Sequence, residues 1–202
     1  MVSGRPGHFH AVKFYESDDA LCRIVAEFFA EGFSAQQPAL LVATPRHRAG
    51  VVAELQAGRF DVKRLQEAGT LSMLDAQTVL GAVMVDGRPD ANLFQAAVGR
   101  ELERLRAGRH TCVRIYGDMA DVLWKAGHDR AALQLEALGN GFSDPHAVKV
   151  LCGYAVTNFY HDRSLRSIFE AHSHVISDKG AIVHAHPTVR WGGPAAPSSR
   201  PS

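Results

Sequence analysis

Short, continuous apolar runs separate longer segments in which apolar residues recur with helical spacing. The runs are typical of strands buried in a parallel sheet, and five are predicted: His10–Tyr15, Pro38–Ala43, Leu71–Leu74, Thr111–Tyr116 and Val148–Tyr154. The helical spacing predicts a first helix that ends at about Glu31, with Ser17, Asp18 and Asp19 as its N-cap candidates. It predicts further helices from Thr44 to about Gly58, over Ala91–Arg106, after Tyr116 with an interruption at Gly127, and over about Asp162–His172. Gln77–Asp90 is ambiguous: a short helix followed by a turn.

Strands and helices alternate, which predicts an α/β fold: a three-layer, doubly wound, mostly parallel sheet of about five strands. One domain is expected over residues 7–176. From about Gly180 onward, proline, glycine and serine dominate and no periodicity remains, so residues 177–202 are predicted to be a disordered tail.

The stretch Thr111–Tyr154 reads as strand, helix, strand, with a connection too long for a hairpin. Such a unit has parallel strands, and ligands of open α/β sheets bind at the carboxyl ends of the strands. The residues placed there are Tyr116, Gly117, Asp118 and Tyr154. We expect a site, if one exists, at this edge.

Composition narrows the function classes. The 202 residues carry a formal net charge of +1 with both signs intermixed, which argues against a nucleic-acid or membrane partner. No apolar stretch approaches the roughly 20 residues that span a bilayer, and no signal peptide is visible. Three cysteines without metal or redox spacing predict a cytoplasmic protein in a reducing compartment, with no metal site and no cofactor. Cys152 is interpreted as a buried strand cysteine.

The loop after the first strand argues against nucleotide chemistry. Residues 15–19 carry three carboxylates and no glycine, whereas phosphate binders place glycines there. Gly-x-x-x-x-Gly-Lys-Ser/Thr, Gly-x-Gly-x-x-Gly and Gly-x-Ser-x-Gly are all absent from the sequence. The sequence therefore predicts a protein that is not an enzyme.

Three polar residues allow two interpretations each. Glu136 and Asn140 lie one helical turn apart beside an apolar face, either as a solvated flank or as a polar pair facing the pocket. His172 falls on the apolar stripe of the last helix, either as a core histidine bonded to a backbone carbonyl or as a pocket residue.

Several segments together resemble a known family. They are His10–Tyr15, the acidic turn after it, Glu31–Phe33, Gly69–Asp75, Val113–Met119, Leu135 and Glu136 with Asn140, and Leu151–Tyr154. Their order and spacing resemble the MEDS domain, the methanogen/methylotroph sensory family. That family is similar to the RecA/KaiC-type ATPases, with the sheet kept and the phosphate loop lost. The resemblance covers about Gly7 to His174.

The resemblance implies a signal-input module that recognises a small organic molecule and is often attached to a histidine kinase or transcription regulator. It implies ligand-binding roles for His10, Tyr15, Asp19, Tyr116, Asp118, Glu136, Asn140 and Tyr154, to which His172 is added from its place on the last helix. Asp118 stands where the longer glutamate is expected. No kinase, receiver or helix-turn-helix segment follows His174, so the signal is expected to pass to a separate partner protein.

Two other classes stay open. One is a protein-binding adaptor of a signalling cascade whose pocket is vestigial. The other is an unrecognised enzyme that uses the pocket carboxylates and His172.

Overall fold

The computed structural model describes residues 9–107, 112–141, 148–159, 165–177 and 180–184. In chain order the elements are β1 (Phe9–Tyr15), α1 (Asp18–Ser34), β2 (Ala39–Ala43), α2 (Pro45–Ala57), α3 (Val62–Glu67), β3 (Leu71–Asp75), α4 (Ala76–Val83), β4 (Met84–Val85), β5 (Arg88–Pro89), α5 (Ala91–Phe94), a π-helical turn (Gln95–Gly99), α6 (Arg100–Arg106), β6 (Val113–Gly117), α7 (Met119–Lys125), α8 (Asp129–Gly141), β7 (Val148–Ala155), a 3-10 turn (Val156–Phe159), α9 (Leu165–Ala171), β8 (His174–Ile176) and β9 (Ile182–His184).

In the described part of the chain, seven strands form one sheet in the spatial order β3-β2-β6-β7-β1-β8-β9. All neighbouring pairs are parallel except β8 and β9, which are antiparallel. The α/β class and the mostly parallel sheet are thus confirmed. The expected count of about five strands is wrong, because β8 and β9 have three residues each and are too short to produce a recognisable apolar run.

Two apolar cores lie on opposite faces of the sheet. Alternate side chains of the strands point to opposite faces, so Leu41 and Tyr116 face α1, α2 and α3. Val42 and Ile115 face α4 to α9. Strand β2 is buried along its whole length, as its continuous apolar run predicts. The result is three layers, helices on sheet on helices.

The helix boundaries follow local capping signals. Ser17 caps α1 by accepting a hydrogen bond from the backbone N–H of Ala20, and Asp75 caps α4 by accepting from Thr78. Pro45 occupies the first turn of α2, where its missing N–H costs nothing. None of the helices in the described ranges is long and apolar enough to cross a membrane.

Several predicted segments differ in detail. The ambiguous Gln77–Asp90 becomes α4 followed by the short β4–β5 hairpin. The predicted helix over Ala91–Arg106 is continuous in space but contains the π-helical turn. The predicted disordered tail begins too early, because Ile182–His184 forms β9. The predicted helix start at Asp162 and the tail beyond residue 184 lie outside the described residues.

Some neighbouring strands of the sheet are followed by helices on opposite sides of it. Helix α2, which follows β2, packs on the α1 side, whereas α7, which follows the adjacent β6, packs on the other side. The same divergence occurs between β7 and β1. Ligands of open α/β sheets usually bind at the carboxyl edge where such a divergence occurs.

Candidate functional site

The nine residues predicted for the site separate into different places. Five of them, together with Cys152, surround one buried point on the α8 side of the sheet: His10, Glu136, Asn140, Tyr154 and His172. Tyr15 and Asp118 lie at the carboxyl edge. Tyr116 is fully buried on the opposite face of the sheet, and Asp19 is exposed in the first turn of α1.

At the carboxyl edge, Asp118 follows β6 and joins it to the start of α2. Its Oδ2 accepts hydrogen bonds from the backbone N–H of Thr44 at 3.0 Å and the Thr44 hydroxyl at 3.2 Å, and lies 2.7 Å from His47 Nδ1. His47 Nε2 lies 3.3 Å from Asp18 Oδ1. Burial alone would lower the pKa of His47, but the hydrogen bonds and charges of Asp118 and Asp18 raise it above its ordinary value.

Asp121 is the centre of a second group of hydrogen bonds at the carboxyl edge. Its Oδ2 accepts from the Tyr15 hydroxyl at 2.9 Å and pairs with Lys125 Nζ at 2.7 Å. Its Oδ1 accepts from Ala155 N at 2.9 Å and Asn158 Nδ2 at 2.6 Å. Burial and the nearby Asp121 raise the pKa of Tyr15 far above its ordinary value, so the phenol keeps its proton.

We call Tyr15, His47, Asp118 and Asp121 the edge network. Asp118 Oδ2 and both oxygens of Asp121 bind donors of the protein itself, and these contacts join the ends of β1, β2, β6 and β7. Asp118 Oδ1 is buried without a hydrogen-bond partner among the described residues. Negative charge occupies the position where a phosphate loop would offer N–H groups. The edge network therefore fits a structural role, in which it holds the strand ends together, better than a ligand-binding role.

The second group of predicted site residues lies between the sheet and α8. We call His10, Glu136, Cys152 and His172 the buried cluster; all four side chains are less than one-tenth exposed. His10 Nε2 lies 3.2 Å from both Glu136 Oε2 and Cys152 Sγ. Glu136 Oε2 lies 3.4 Å from Cys152 Sγ and 3.5 Å from His172 Nε2. Four side chains of three chemical types thus converge on one point.

The topology of the sheet brings these residues together. His10 on β1 is paired with Val150 on β7, so Cys152 lies on the same face two residues further along β7. Glu136 projects from α8, and His172 directly follows α9. His10 and Cys152 are 142 residues apart in the sequence, and the parallel pairing of β1 with β7 brings them together.

Further residues orient the buried cluster. Tyr154 donates to Glu136 Oε1 at 2.6 Å, and Asn140 Oδ1 lies 2.8 Å from His10 Nδ1. His172 Nδ1 lies 2.7 Å from the carbonyl oxygen of Ile168, one helical turn back. The carbonyl contact fits the interpretation of His172 as a core histidine, and its other nitrogen faces Glu136. His172 is not among the residues that line the cavity described below, so its pocket role stays a prediction.

Burial dominates the protonation states here. It lowers the pKa of His172 to about 4, with repulsion from His10 as a second cause, so the ring is neutral at pH 7. Burial and the neighbouring Glu136 raise the pKa of the Cys152 thiol and of the Tyr154 phenol. Burial would also raise the pKa of Glu136, but the two histidines and the Tyr154 hydroxyl outweigh it and lower this pKa to about 2.

A cavity adjoins the buried cluster. It lies between the sheet and α5 to α8, and its interior leaves about 60 Å³ for the centres of water-sized molecules. Its walls are almost entirely apolar, and His10, Glu136 and Cys152 form its polar end. The remaining lining residues are Val42, Phe94, Val98, Ile115, Gly117, Met119, Ala120, Leu135, Gly139 and Val150.

Sequence reasoning missed Cys152, His47 and Asp121. Cys152 shares a strand face with Val150 and Tyr154, a signal that could have placed it beside the predicted Tyr154. Asp121 lies three residues after Asp118, in the first turn of the following helix. His47 carries no signal of its own in the sequence.

Comparison with solved structures identifies the class of fold. The chain is similar to a KaiC-like protein from the hyperthermophilic archaeon Pyrococcus horikoshii OT3, with a TM-score of 0.56 and 11% sequence identity; the match covers 84% of this chain and 71% of that one. Identity this low shows the fold alone. No curated protein matches the chain significantly. The fold is therefore a RecA/KaiC-like α/β fold.

The family follows from the sequence match. The model of the MEDS family, described as the methanogen/methylotroph, DcmR sensory domain, matches residues 9–173. The chain belongs to the MEDS family, and a sensory or regulatory role follows at that level. The resemblance recognised from the motifs is confirmed.

Proposed function

We propose that this protein is a non-catalytic sensory module that binds a small organic molecule in the cavity beside the buried cluster. The observation that carries the proposal is the cavity itself, with apolar walls and a single polar end at His10, Glu136 and Cys152. Small-molecule sites typically combine an apolar lining with a few polar groups that fix orientation. The family match adds the sensory role.

The dimensions limit the ligand. One water-sized sphere needs about 10–15 Å³ on the same measure, so the cavity of about 60 Å³ accommodates roughly four to six non-hydrogen atoms. Apolar walls favour a short hydrocarbon chain, and the polar end favours one amine, hydroxyl, thiol or carboxyl group. The proposed ligand is therefore a short-chain organic molecule with one polar function.

The cavity wall also offers a route for the signal. Phe94 and Val98 line it from the segment that contains the π-helical turn, and Leu135 and Gly139 line it from α8. Single π-helical turns are frequent at functional sites because the wider turn is less regularly packed. We propose that occupancy shifts these two helices, and that a separate signalling protein reads their outer surfaces.

A cavity-filling variant tests the proposal. Gly139 lines the cavity, and a Cβ atom added there meets no atom within 4 Å. Gly139→Leu should therefore fill the cavity while keeping the fold. Gly81→Leu is the matched control, since Gly81 is also helical and unobstructed but lies outside the cavity lining.

The measurement is thermal stability against a panel of short-chain amines, alcohols, thiols and carboxylic acids. At 100 times its Kd a ligand stabilises by about 2.7 kcal/mol, which raises the Tm of a chain of this size by roughly 5–10 °C. At least one compound should shift wild type and the control but not Gly139→Leu. Equal shifts in Gly139→Leu, or none in any protein, would contradict the proposal.

A further inference from the structure

The buried cluster has a property that binding of an organic molecule does not explain. From its geometry we propose that His10, Glu136, Cys152 and His172 bind one Zn²⁺ ion, or a similar divalent transition-metal ion, at the polar end of the cavity. The proposal departs from the expectation, drawn from sequence spacing, that the chain has no metal site. The inference concerns the cavity of the proposed function but does not depend on an organic ligand.

The distances fit a tetrahedral ion. The four ligand atoms are His10 Nε2, His172 Nε2, Glu136 Oε2 and Cys152 Sγ, and all lie within 4.8 Å of one another. Atoms bound tetrahedrally at about 2.0–2.3 Å from zinc stand roughly 3.3–3.7 Å apart. Four of the separations in the cluster are 3.2, 3.2, 3.4 and 3.5 Å. Only small side-chain movements separate these positions from a complete coordination shell.

The hydrogen bonds of the described residues place ring lone pairs at the centre of the buried cluster. Asn140 Nδ2 donates to Ala171 O at 3.2 Å, which turns Asn140 Oδ1 toward His10 Nδ1. His10 Nδ1 therefore carries the hydrogen, and its Nε2 offers a lone pair. Ile168 O places the hydrogen of His172 on Nδ1 in the same way.

With both rings neutral, two imidazole nitrogens and one carboxylate oxygen thus face each other beside the Cys152 thiol. A proton added to His10 would satisfy its contact with Glu136. It would still leave His172 Nε2 without a donor, and among the described residues this buried atom has no hydrogen-bond partner. A cation at the centre satisfies all of them at once.

The surrounding contacts are those of a metal site. Ligating histidines almost always donate the second ring N–H to a carbonyl or carboxylate group, and ligating carboxylates are themselves hydrogen-bonded. Ile168 O, Asn140 Oδ1 and the Tyr154 hydroxyl fill these three roles. Binding would place a thiolate, a carboxylate and two neutral imidazoles around a doubly charged ion, so the buried charge sums to zero.

The coordination set also fits a sensory domain. Four protein ligands close a tetrahedral shell, whereas catalytic zinc sites keep one position for water. The ion would fix β1, β7, α8 and the end of α9 to one another directly beside the cavity. A ligand that contacts the polar end would then act on all four elements.

The test uses Co²⁺ as a spectroscopic probe on the full chain after chelator treatment. One equivalent should produce the intense visible bands of tetrahedral Co²⁺ and a thiolate-to-metal charge-transfer band, and Zn²⁺ should displace both. Cys152→Ser should abolish the charge-transfer band and weaken Co²⁺ binding at least 100-fold. Cys112→Ser is the matched control and should bind like wild type, because Cys112 is a half-buried cysteine that directly precedes β6 and lies outside the buried cluster.

Absence of these bands in folded wild type, or their persistence in Cys152→Ser, would overturn the proposal. Should Cys152→Ser fail to fold, X-ray absorption of zinc-loaded wild type decides instead: one sulfur at about 2.3 Å supports the assignment, and a shell of nitrogen and oxygen alone refutes it. Metal binding is measured without any organic compound. Its failure is therefore distinct from failure of the cavity proposal, which Gly139→Leu reports.

Discussion

Asp121→Ala is the sharpest test of whether the edge network stabilises the fold by holding the strand ends together. Asp121 is 1% exposed, accepts hydrogen bonds from Tyr15, Ala155 and Asn158, and forms an ion pair with Lys125. The variant leaves two buried donors, the Tyr15 hydroxyl and the Ala155 N–H, without an acceptor. A buried donor that loses its partner costs about 1–3 kcal/mol, so we expect a loss of roughly 2–6 kcal/mol.

This loss is a large share of the stability of a typical domain, about 5–15 kcal/mol. Urea unfolding followed by circular dichroism measures it, and Asp19→Asn is the control, because Asp19 is exposed and should cost well under about 1 kcal/mol. In a Tyr15→Phe background the cost of Asp121→Ala should fall, since one unpaired donor is already gone.

Tyr15→Phe alone removes only one donor, so it stays measurable even if Asp121→Ala does not fold. If Asp121→Ala lowers the free energy of unfolding by less than about 1 kcal/mol, or shows no coupling with Tyr15→Phe, the structural role of the edge network is refuted.

Three further outcomes follow from particular contacts. The pKa of His47 is raised in the folded state, so the stabilising effect of its protonation is complete below the unfolded pKa of about 6.5 and is lost as pH rises through the folded pKa. The urea midpoints at pH 6 and pH 8.5 should therefore differ less in His47→Gln than in wild type. An equal difference in both proteins would exclude His47 as the cause. Tyr116→Phe should be neutral or stabilising by up to about 2 kcal/mol, because the Tyr116 hydroxyl is buried without a partner among the described residues; a lower Tm would reveal an unrecognised acceptor. Gly153→Ala should cost about 1–3 kcal/mol, since the new Cβ would stand 2.5 Å from Tyr116 Oη, and Tyr116→Phe in the same chain should recover part of that loss; no recovery would locate the strain elsewhere.

The major elements could be predicted because their signals are local. The apolar run of β2 is buried throughout, and the Ser17 cap and Pro45 mark the starts of α1 and α2. Strands β8 and β9 could not be predicted, because three-residue strands carry too little pattern and β9 is exposed. Strand β8 pairs with β1, which is distant in the sequence, and β9 pairs with β8.

The candidate site could be predicted only in part. Glu136 and Asn140 share a helix face, which their spacing indicates, and both reach the buried cluster. Cys152 was interpreted as an inert core residue because its proximity to His10 depends on β1 lying beside β7. The order of strands in a parallel sheet is a long-range property, so spacing along the chain gave no metal pattern.

The most direct test of the sensory account is the location of a bound ligand. Methyl-labelled protein, observed by NMR during titration with a compound that raises the Tm, should show shifts at Val42, Val98 and Ile115, which line the cavity. Val51 and Leu55, in the core on the opposite face of the sheet, should stay unchanged. Shifts confined to Val51 and Leu55, or to residues at the carboxyl edge, would contradict the assignment of the cavity as the sensory site.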